Sequence, residues 1–143
     1  MRLTDYTYDE LLSAATDAYK EESFGKYAAP VKSLDKKHKV LELWHGPTCA
    51  FKDMALQIMP HLLSGALEKT GVKGDAFILT ATSGDTGKAA LDGYHDVPRV
   101  RIMVFYPVYG VSRVQKLQMS TQEGENVMVC PVKGNFDDTQ TGV

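Results

Sequence analysis

The sequence predicts an α/β fold built on a parallel sheet, in a three-layer αβα arrangement. Three apolar runs, at residues 76–81, 100–106 and 127–132, have the length and composition of strands buried on both faces. Helix-like stretches at 87–94 and 111–121 separate these runs. Because strands that alternate with helices are joined by crossover connections, we expect the three strands to lie parallel in one sheet.

The amino-terminal part of the chain predicts a helix over residues 7–19. Thr7 and Glu10 have the spacing of a capping box, in which the hydroxyl binds the third helical amide and the carboxylate reaches back. The residues that follow form an apolar stripe at helical spacing: Leu11, Leu12, Ala15 and Tyr19.

The sequence between this helix and the sheet indicates the domain organisation. Residues 20–39 are polar and interrupted by turn formers, so we expect loops there. We assign residues 1–39 as a helical and loop lead-in, and residues 40–143 as an α/β domain. The chain stops just after a further helix-like stretch begins, so we expect a fragment of a longer protein.

Two further elements precede the three strands. Residues 40–44 are expected to form a short strand whose carboxyl end joins the same sheet edge as the others. From Phe51 to Leu67, apolar residues recur at helical spacing. Pro60 lies inside this stretch and is expected to kink or interrupt the helix, because proline lacks the backbone donor.

Composition excludes several classes of function. Sixteen basic and eighteen acidic residues give a formal net charge of -2, which argues against a nucleic-acid partner. No apolar run approaches the roughly 18 residues of a membrane span, and no signal peptide is visible, so we expect a cytoplasmic protein. Cys49 and Cys130 are expected to be buried and unpaired, and the spacing of histidine and cysteine predicts no metal site.

Lys52 is the candidate catalytic residue. It lies where a strand-like run ends and a helix-like run begins, in the motif HGPTCAFKD. An amine held at such a junction is well placed for covalent catalysis. Thr48 precedes it in the same motif, and His45 is either a polar site residue or a turn residue.

A second candidate is the loop TSGDTG, which follows the first apolar strand and precedes a helix. Its glycines permit tight turns, and the helix start supplies free amides, so the loop can bind a carboxylate or phosphate or can simply cap the helix.

Arg113 lies near the next glycine-bearing loop and either meets an anion or is a solvated helix residue. In residues 134–140, Asn135 or Asp137 is expected to cap a helix.

Five motifs, taken in order, resemble those of threonine synthases. They are HGPTCAFKDMALQ, TSGDTGKAAL, FYPVYGVSRVQKLQM, TQEGENV and GNFDDTQ. The resemblance spans nearly all of residues 40–143, and the combination of motifs is highly specific.

The resemblance implies a pyridoxal-phosphate enzyme of the tryptophan synthase β-like, type II fold that converts O-phospho-L-homoserine and water to L-threonine and phosphate. Lys52 would be the Schiff-base lysine. The cofactor and the substrate anion would be lined by Ser83, Gly84, Asp85, Thr86 and Gly87. His45, Thr48 and Arg113 would contact the substrate.

Family members are several times longer than this chain and extend beyond both of its ends. The resemblance therefore implies that residues 40–143 are a pyridoxal-phosphate-dependent enzyme domain truncated at both ends, and that the remainder of the same polypeptide completes the cofactor site. An isolated piece of this size is expected to be nearly inactive. Two alternatives remain open from the sequence. One is another type II lyase, such as a threonine or serine dehydratase, and the other is a catalytically incomplete module that binds the cofactor or an anion.

Overall fold

The computed structural model describes residues 5–143 and contains a three-stranded parallel sheet. Strand β4 (Val100–Pro107) lies between β3 (Ala76–Ala81) and β5 (Val127–Val132). Both pairings are parallel, with Ala76 opposite Val100 at the start of the β3–β4 ladder. The predicted α/β class with a parallel sheet is therefore confirmed.

The core lies between this sheet and the helix that connects its first two strands. Helix α5 (Asp85–Tyr94) packs against β4. Alternate residues of β4 are fully buried, as the two-residue period of a strand requires. The buried apolar cluster contains Ala90, Leu91, Tyr94, Val97, Val100, Ile102, Val104, Tyr106 and Met119.

Helix α6 (Arg113–Ser120) meets the core through a residue outside its most apolar side. Val114 and Leu117 share one side at helical spacing, but these residues are 67% and 50% exposed. Met119 is fully buried instead, because its side chain inserts beside Val104 in the core cluster. Helical spacing places residues on one face but does not say which face meets the sheet.

The amino-terminal helix forms as predicted. Helix α1 (Tyr8–Ala18) begins at Thr7, whose hydroxyl accepts the Glu10 amide while the Glu10 carboxylate accepts the Thr7 amide. The side chains of α1 meet α4 (Met59–Lys69). The salt bridge between Glu10 and Lys69, at 2.8 Å, joins the two helices.

The prediction for residues 20–44 was wrong in two respects. The stretch expected to be only loop contains a short helix, α2 (Glu21–Phe24), and a strand, β1 (Val31–Ser33). The strand expected at 40–44 is β2 (Lys39–Leu41), which pairs antiparallel with β1 in a separate sheet and does not join the parallel one. Asp35 closes the turn between them by accepting backbone amides, which makes a local hairpin available to β2.

The long apolar stretch after Phe51 is divided, as Pro60 predicted. Helix α3 (Asp53–Leu56) is followed by its capping residue Gln57, and α4 begins two residues later with Pro60 in its first turn, where a missing donor is tolerated.

Near the carboxyl end, α7 (Phe136–Thr141) is capped by Asn135, one of the two predicted capping residues.

The two cysteines are unpaired, but the prediction that both are buried was wrong. Cys49 is exposed and Cys130 is half-buried. Cys49 lies in the loop before Lys52, where its φ is 59°, and Cys130 lies on the edge strand β5. Among the helices of residues 5–143, none has the length and apolar character needed to cross a bilayer.

Candidate active site

Lys52 lies one residue before α3, and its carbonyl accepts the amides of Ala55 and Leu56 at 3.1 and 2.9 Å. The side-chain amine lies 4.4 Å from the centroid of the Phe51 ring. None of the ion pairs within residues 5–143 involves this amine. The nitrogen is therefore held near an aromatic face and is not committed to a carboxylate.

Lys52 lines a groove of about 560 Å³ whose walls are almost entirely apolar. Thr86, in the first turn of α5, lines the same groove. The structure thus brings the lysine motif and the Ser/Gly-rich loop to one cavity. The remaining lining residues are Ala29, Leu41, Leu43, Phe51, Met54, Ala55 and Leu56.

A buried carboxylate shapes the loop that leads to Lys52. Asp53 is fully buried and accepts two hydrogen bonds from Thr48, one from its amide at 2.9 Å and one from its hydroxyl at 2.5 Å. Gly46 passes so close that a Cβ there would lie 2.5 Å from a carboxylate oxygen of Asp53. The turn is therefore closed on Asp53, which fixes the direction in which the chain enters α3.

His45 lies beside this loop but does not line the groove. Its ring stacks on Trp44 with the centroids 5.7 Å apart, and its Nε2 lies 2.8 Å from the Glu42 carboxylate. The Thr48 hydroxyl is likewise occupied by Asp53. His45 and Thr48, both predicted site residues, thus contact residues of the segment that surrounds Lys52 in the sequence.

The loop after β3 is folded around a buried hydroxyl. Thr82 is 2% exposed, and its Oγ1 accepts the amides of Gly84 at 3.0 Å and Gly87 at 2.8 Å. Gly84 has φ 141°, which other residues rarely adopt. The amides of Asp85 and Thr86 open α5, where helix geometry leaves them without intrahelical acceptors. The loop therefore presents free amides at the positive end of a helix, which favours an anion.

Helix α6 touches this loop through Gln115, whose Nε2 donates to Asp85 at 2.7 Å. Gln115 also completes the capping box of Ser112, so one side chain fixes both the helix start and its contact with the loop. Arg113 is the first residue of α6 and is exposed. The predicted substrate contact thus lies on a helix that is anchored to the Ser83–Gly87 loop.

Helices α3 and α5 approach each other unusually closely at Gly93, where an added Cβ would overlap the Leu56 carbonyl oxygen. Beside this contact, Gln57 donates to the Asp92 carboxylate at 2.7 Å. Lys88 lies 3.5 Å from the same carboxylate, one turn earlier in α5. These contacts set the separation between the helix that follows Lys52 and the helix that carries the anion loop.

Three of these organising residues were not assigned a role from the sequence: Thr82, which opens the predicted TSGDTG loop, Gly93 and Gln115. Each left a signal. Thr82 is a polar residue directly after a buried apolar strand, where its hydroxyl needs partners. Gly93 interrupts a helical pattern, which indicates close packing. Gln115 stands three residues after Ser112, the spacing of a capping box.

Comparison with known sequences identifies threonine synthases among the relatives of this chain. No protein-family model matches this chain. A curated threonine synthase from Pseudomonas aeruginosa is 45% identical over 124 residues, which cover 84% of this chain and 26% of that protein. The chain thus spans about a quarter of the length of this relative.

Solved structures agree with the sequence relatives. The structure of a threonine synthase from Brucella melitensis with PLP bound has a TM-score of 0.82 and 36% identity, covering 93% of this chain and 28% of that one. Threonine synthase from yeast has a TM-score of 0.79 and 34% identity, covering 90% of this chain and 27% of that one. The chain therefore belongs to the threonine synthase family, and it shares the tryptophan synthase β-like fold of that family over the part that it spans.

Proposed function

We propose that this chain supplies the reactive lysine and the anion loop of a pyridoxal-phosphate-dependent threonine synthase, which converts O-phospho-L-homoserine and water to L-threonine and phosphate. The observation that carries the proposal is that the Lys52 side chain and Thr86, at the start of α5, line one apolar groove. The kinship with threonine synthases supports the choice of reaction.

The residues of the groove fit pyridoxal phosphate. Its apolar walls, which include Leu43, Phe51 and Met54, suit an aromatic ring. The Lys52 amine can bond covalently to an aldehyde, because no ion pair holds it among the described residues. The free amides at the start of α5 suit an anionic group on the cofactor or on the substrate.

When bound, pyridoxal phosphate supplies the electron sink for the reaction, while the protein orients groups and moves protons. Lys52 is proposed first as the covalent attachment point and then, once its amine is free, as the base that carries protons to and from the substrate carbons. The apolar walls limit water around that nitrogen. Proton transfer by one positioned side chain accelerates a reaction by roughly 10²- to 10⁴-fold.

The other site residues are proposed to bind anionic groups. Ser83, Gly84, Asp85, Thr86 and Gly87 would line the cofactor and the substrate anion, chiefly through backbone amides and hydroxyls. His45 and Thr48 would shape the wall beside Lys52. Because the Thr48 hydroxyl already donates to Asp53, its contribution is to hold the loop in place. Arg113 would attract an anionic substrate to the open side of the groove.

The remainder of the same polypeptide is proposed as the partner that completes the cofactor site. Support for this comes from the relatives, of which this chain covers 26% in the Pseudomonas protein and 28% in the Brucella structure. We therefore expect this chain alone to bind pyridoxal phosphate weakly and to turn over little substrate.

Covalent labelling tests the role of Lys52. The protein is incubated with pyridoxal phosphate and reduced with borohydride, and the modified peptide is mapped by mass spectrometry. We expect modification at Lys52 and its loss in Lys52→Ala. The matched control is Lys36→Ala, which removes an exposed lysine in the β1–β2 turn and should leave the labelling of Lys52 unchanged. Preferential labelling at another lysine would refute the assignment.

Turnover tests the reaction itself, in the complete polypeptide that contains this sequence. Phosphate and threonine formed from O-phospho-L-homoserine are measured together, with threonine and serine as alternative substrates. Equal amounts of phosphate and threonine are expected. Ammonia release from threonine or serine without threonine formation would instead identify a dehydratase.

A further inference from the structure

Tyr19, at the end of α1, holds the short helix that follows Lys52. Its hydroxyl donates a hydrogen bond to the Met54 carbonyl, with the two oxygens 2.5 Å apart. The bond links residues 35 positions apart in the sequence. Met54 is the second residue of α3, directly after Asp53, so the contact lies within one turn of the reactive amine.

Helix α3 needs an external anchor because it has only four residues. A helix this short does not persist by its own hydrogen bonds. The ladder of α3 ends when the Gln57 amide binds the Asp53 carbonyl, and α4 then begins with Pro60 in its first turn. The Met54 carbonyl therefore lies at a break between two helices, where a side-chain donor takes the place of a backbone amide.

The surroundings of Tyr19 favour this role. Its ring packs edge-to-face against Phe24, with the centroids 5.4 Å apart and an angle of 78° between the planes. Phe24 is 2% exposed, so the ring is fixed by a buried partner. Burial also raises the pKa of Tyr19, which keeps its hydroxyl protonated and able to donate.

We propose that Tyr19 is a positioning residue for Lys52: by holding the Met54 carbonyl it fixes the orientation of α3 and thereby keeps the lysine amine at the groove. The catalytic consequence rests on the proposed function, whereas the effect on the lysine does not. The lead-in helix α1 is then part of the active-site framework, although it contributes no residue that lines the groove.

Tyr6 provides a matched control. Its hydroxyl also donates to a main-chain carbonyl, that of Leu62, but this carbonyl lies in α4, farther along the chain from Lys52. Tyr19→Phe and Tyr6→Phe each remove one hydroxyl and keep one ring. A general loss of stability affects both variants, whereas a positioning role affects Tyr19→Phe alone.

The first measurement needs no cofactor. The folded variants are treated with a trace of an amine-acylating reagent, and the labelling of Lys52 is expressed relative to Lys36 in the same molecules. In Tyr19→Phe we expect this ratio to rise by about twofold or more, because a loosened α3 exposes the amine to solvent. The ratio in Tyr6→Phe should equal that of the parent chain. An unchanged ratio in Tyr19→Phe, or an equal rise in both variants, overturns the proposal.

The second measurement is the rate of borohydride-trapped attachment of pyridoxal phosphate to Lys52. We expect roughly a tenfold decrease in Tyr19→Phe and no change in Tyr6→Phe, since displacement of a reacting group by about 1 Å slows reactions by such factors or more. This rate is measured in the complete polypeptide that contains this sequence. If that polypeptide, with Tyr19 intact, does not attach the cofactor at Lys52, the proposed function fails, and the acylation ratio still decides the role of Tyr19.

Hydrogen exchange in the parent chain provides a test that does not depend on the folding of a variant. Helix α2 has the same four-residue length as α3, and within residues 5–143 the tyrosine hydroxyls that donate to main-chain carbonyls reach Leu62 and Met54 and do not reach α2. The amides of Leu56 and Gln57 in and after α3 should therefore exchange more slowly than those of Phe24 and Gly25 in and after α2. Equal or faster exchange in α3 overturns the proposal.

Discussion

Replacing Thr48 by valine is expected to destabilise the loop that carries Lys52. Valine keeps the shape of the side chain and removes the hydroxyl that donates to Asp53 at 2.5 Å. Asp53 is fully buried, and within residues 5–143 both hydrogen bonds to its carboxylate come from Thr48, so the substitution leaves one carboxylate oxygen without a donor. The backbone amide of residue 48 still donates a hydrogen bond to the other carboxylate oxygen.

The expected loss in the free energy of unfolding follows from the chemistry of Asp53, which is a buried carboxylate. A hydrogen bond to a charged group contributes about 1.5–3 kcal/mol, and an unsatisfied buried acceptor keeps its full desolvation cost. We therefore expect Thr48→Val to lower the free energy of unfolding by about 2 kcal/mol. In a chain of this size, that corresponds to a decrease in Tm of roughly 4–8 °C. Thr48→Ser keeps the hydroxyl and removes one methyl, so it should cost less than about 0.8 kcal/mol.

Urea denaturation of the parent, Thr48→Val and Thr48→Ser measures this difference. Trp44 is the only tryptophan and stacks on His45 near the loop, so its fluorescence reports on the site while circular dichroism reports on the whole chain. The two signals should shift together, with an unchanged m-value. If Thr48→Val lies within about 0.5 kcal/mol of Thr48→Ser, the reasoning about the buried carboxylate is refuted.

Three further changes test the packing and electrostatics of the fold. Gly93→Ala should lower the free energy of unfolding by about 1–3 kcal/mol, because its Cβ overlaps the Leu56 carbonyl; an unchanged urea midpoint would contradict the close approach of α3 and α5. Thr82→Val should cost about 1–3 kcal/mol, because the buried Gly87 amide loses its acceptor; Thr82→Ser should cost clearly less, and equal urea midpoints would count against the role of the hydroxyl. Burial lowers the pKa of His61 below its ordinary 6.5, so the unfolded chain binds that proton more readily. The stability contributed by neutral His61 is therefore present above pH 6.5 and is lost as the pH falls through the lowered folded-state pKa; His61→Gln should show a weaker loss in urea titrations on acidification, and parallel pH profiles would contradict this.

The sheet could be predicted because its signal is local. Residues 76–81 are both the predicted run and the observed β3, and residues 127–132 are both the predicted run and β5. The Thr7 capping box and the interruption at Pro60 also follow from neighbours within a few residues. Such features depend on the chemistry of adjacent residues, which the sequence states directly.

The errors concern partners that lie far apart in sequence. The strand expected at 40–44 pairs with β1 because the turn at Asp35 brings β1 and β2 together, and no property of residues 40–44 excludes a place in the parallel sheet. In α6, Val114 and Leu117 share one side at helical spacing and yet are exposed, because periodicity does not identify what a helix faces. Cys49 was expected to be buried because its neighbours are apolar, but it lies exposed in the loop before Lys52.

The sequence by itself determined the α/β class, the order of its parallel strands along the chain, and the motifs around Lys52 and at Ser83–Gly87. Only the tertiary structure decided that the lysine and Thr86 line one groove, and that Asp53, Gly93 and Tyr19 hold the helix after the lysine. The physical reason is that residue types and short spacings encode local conformation. The anchors of α3 are single contacts between distant segments, which exist only once packing has brought those segments together.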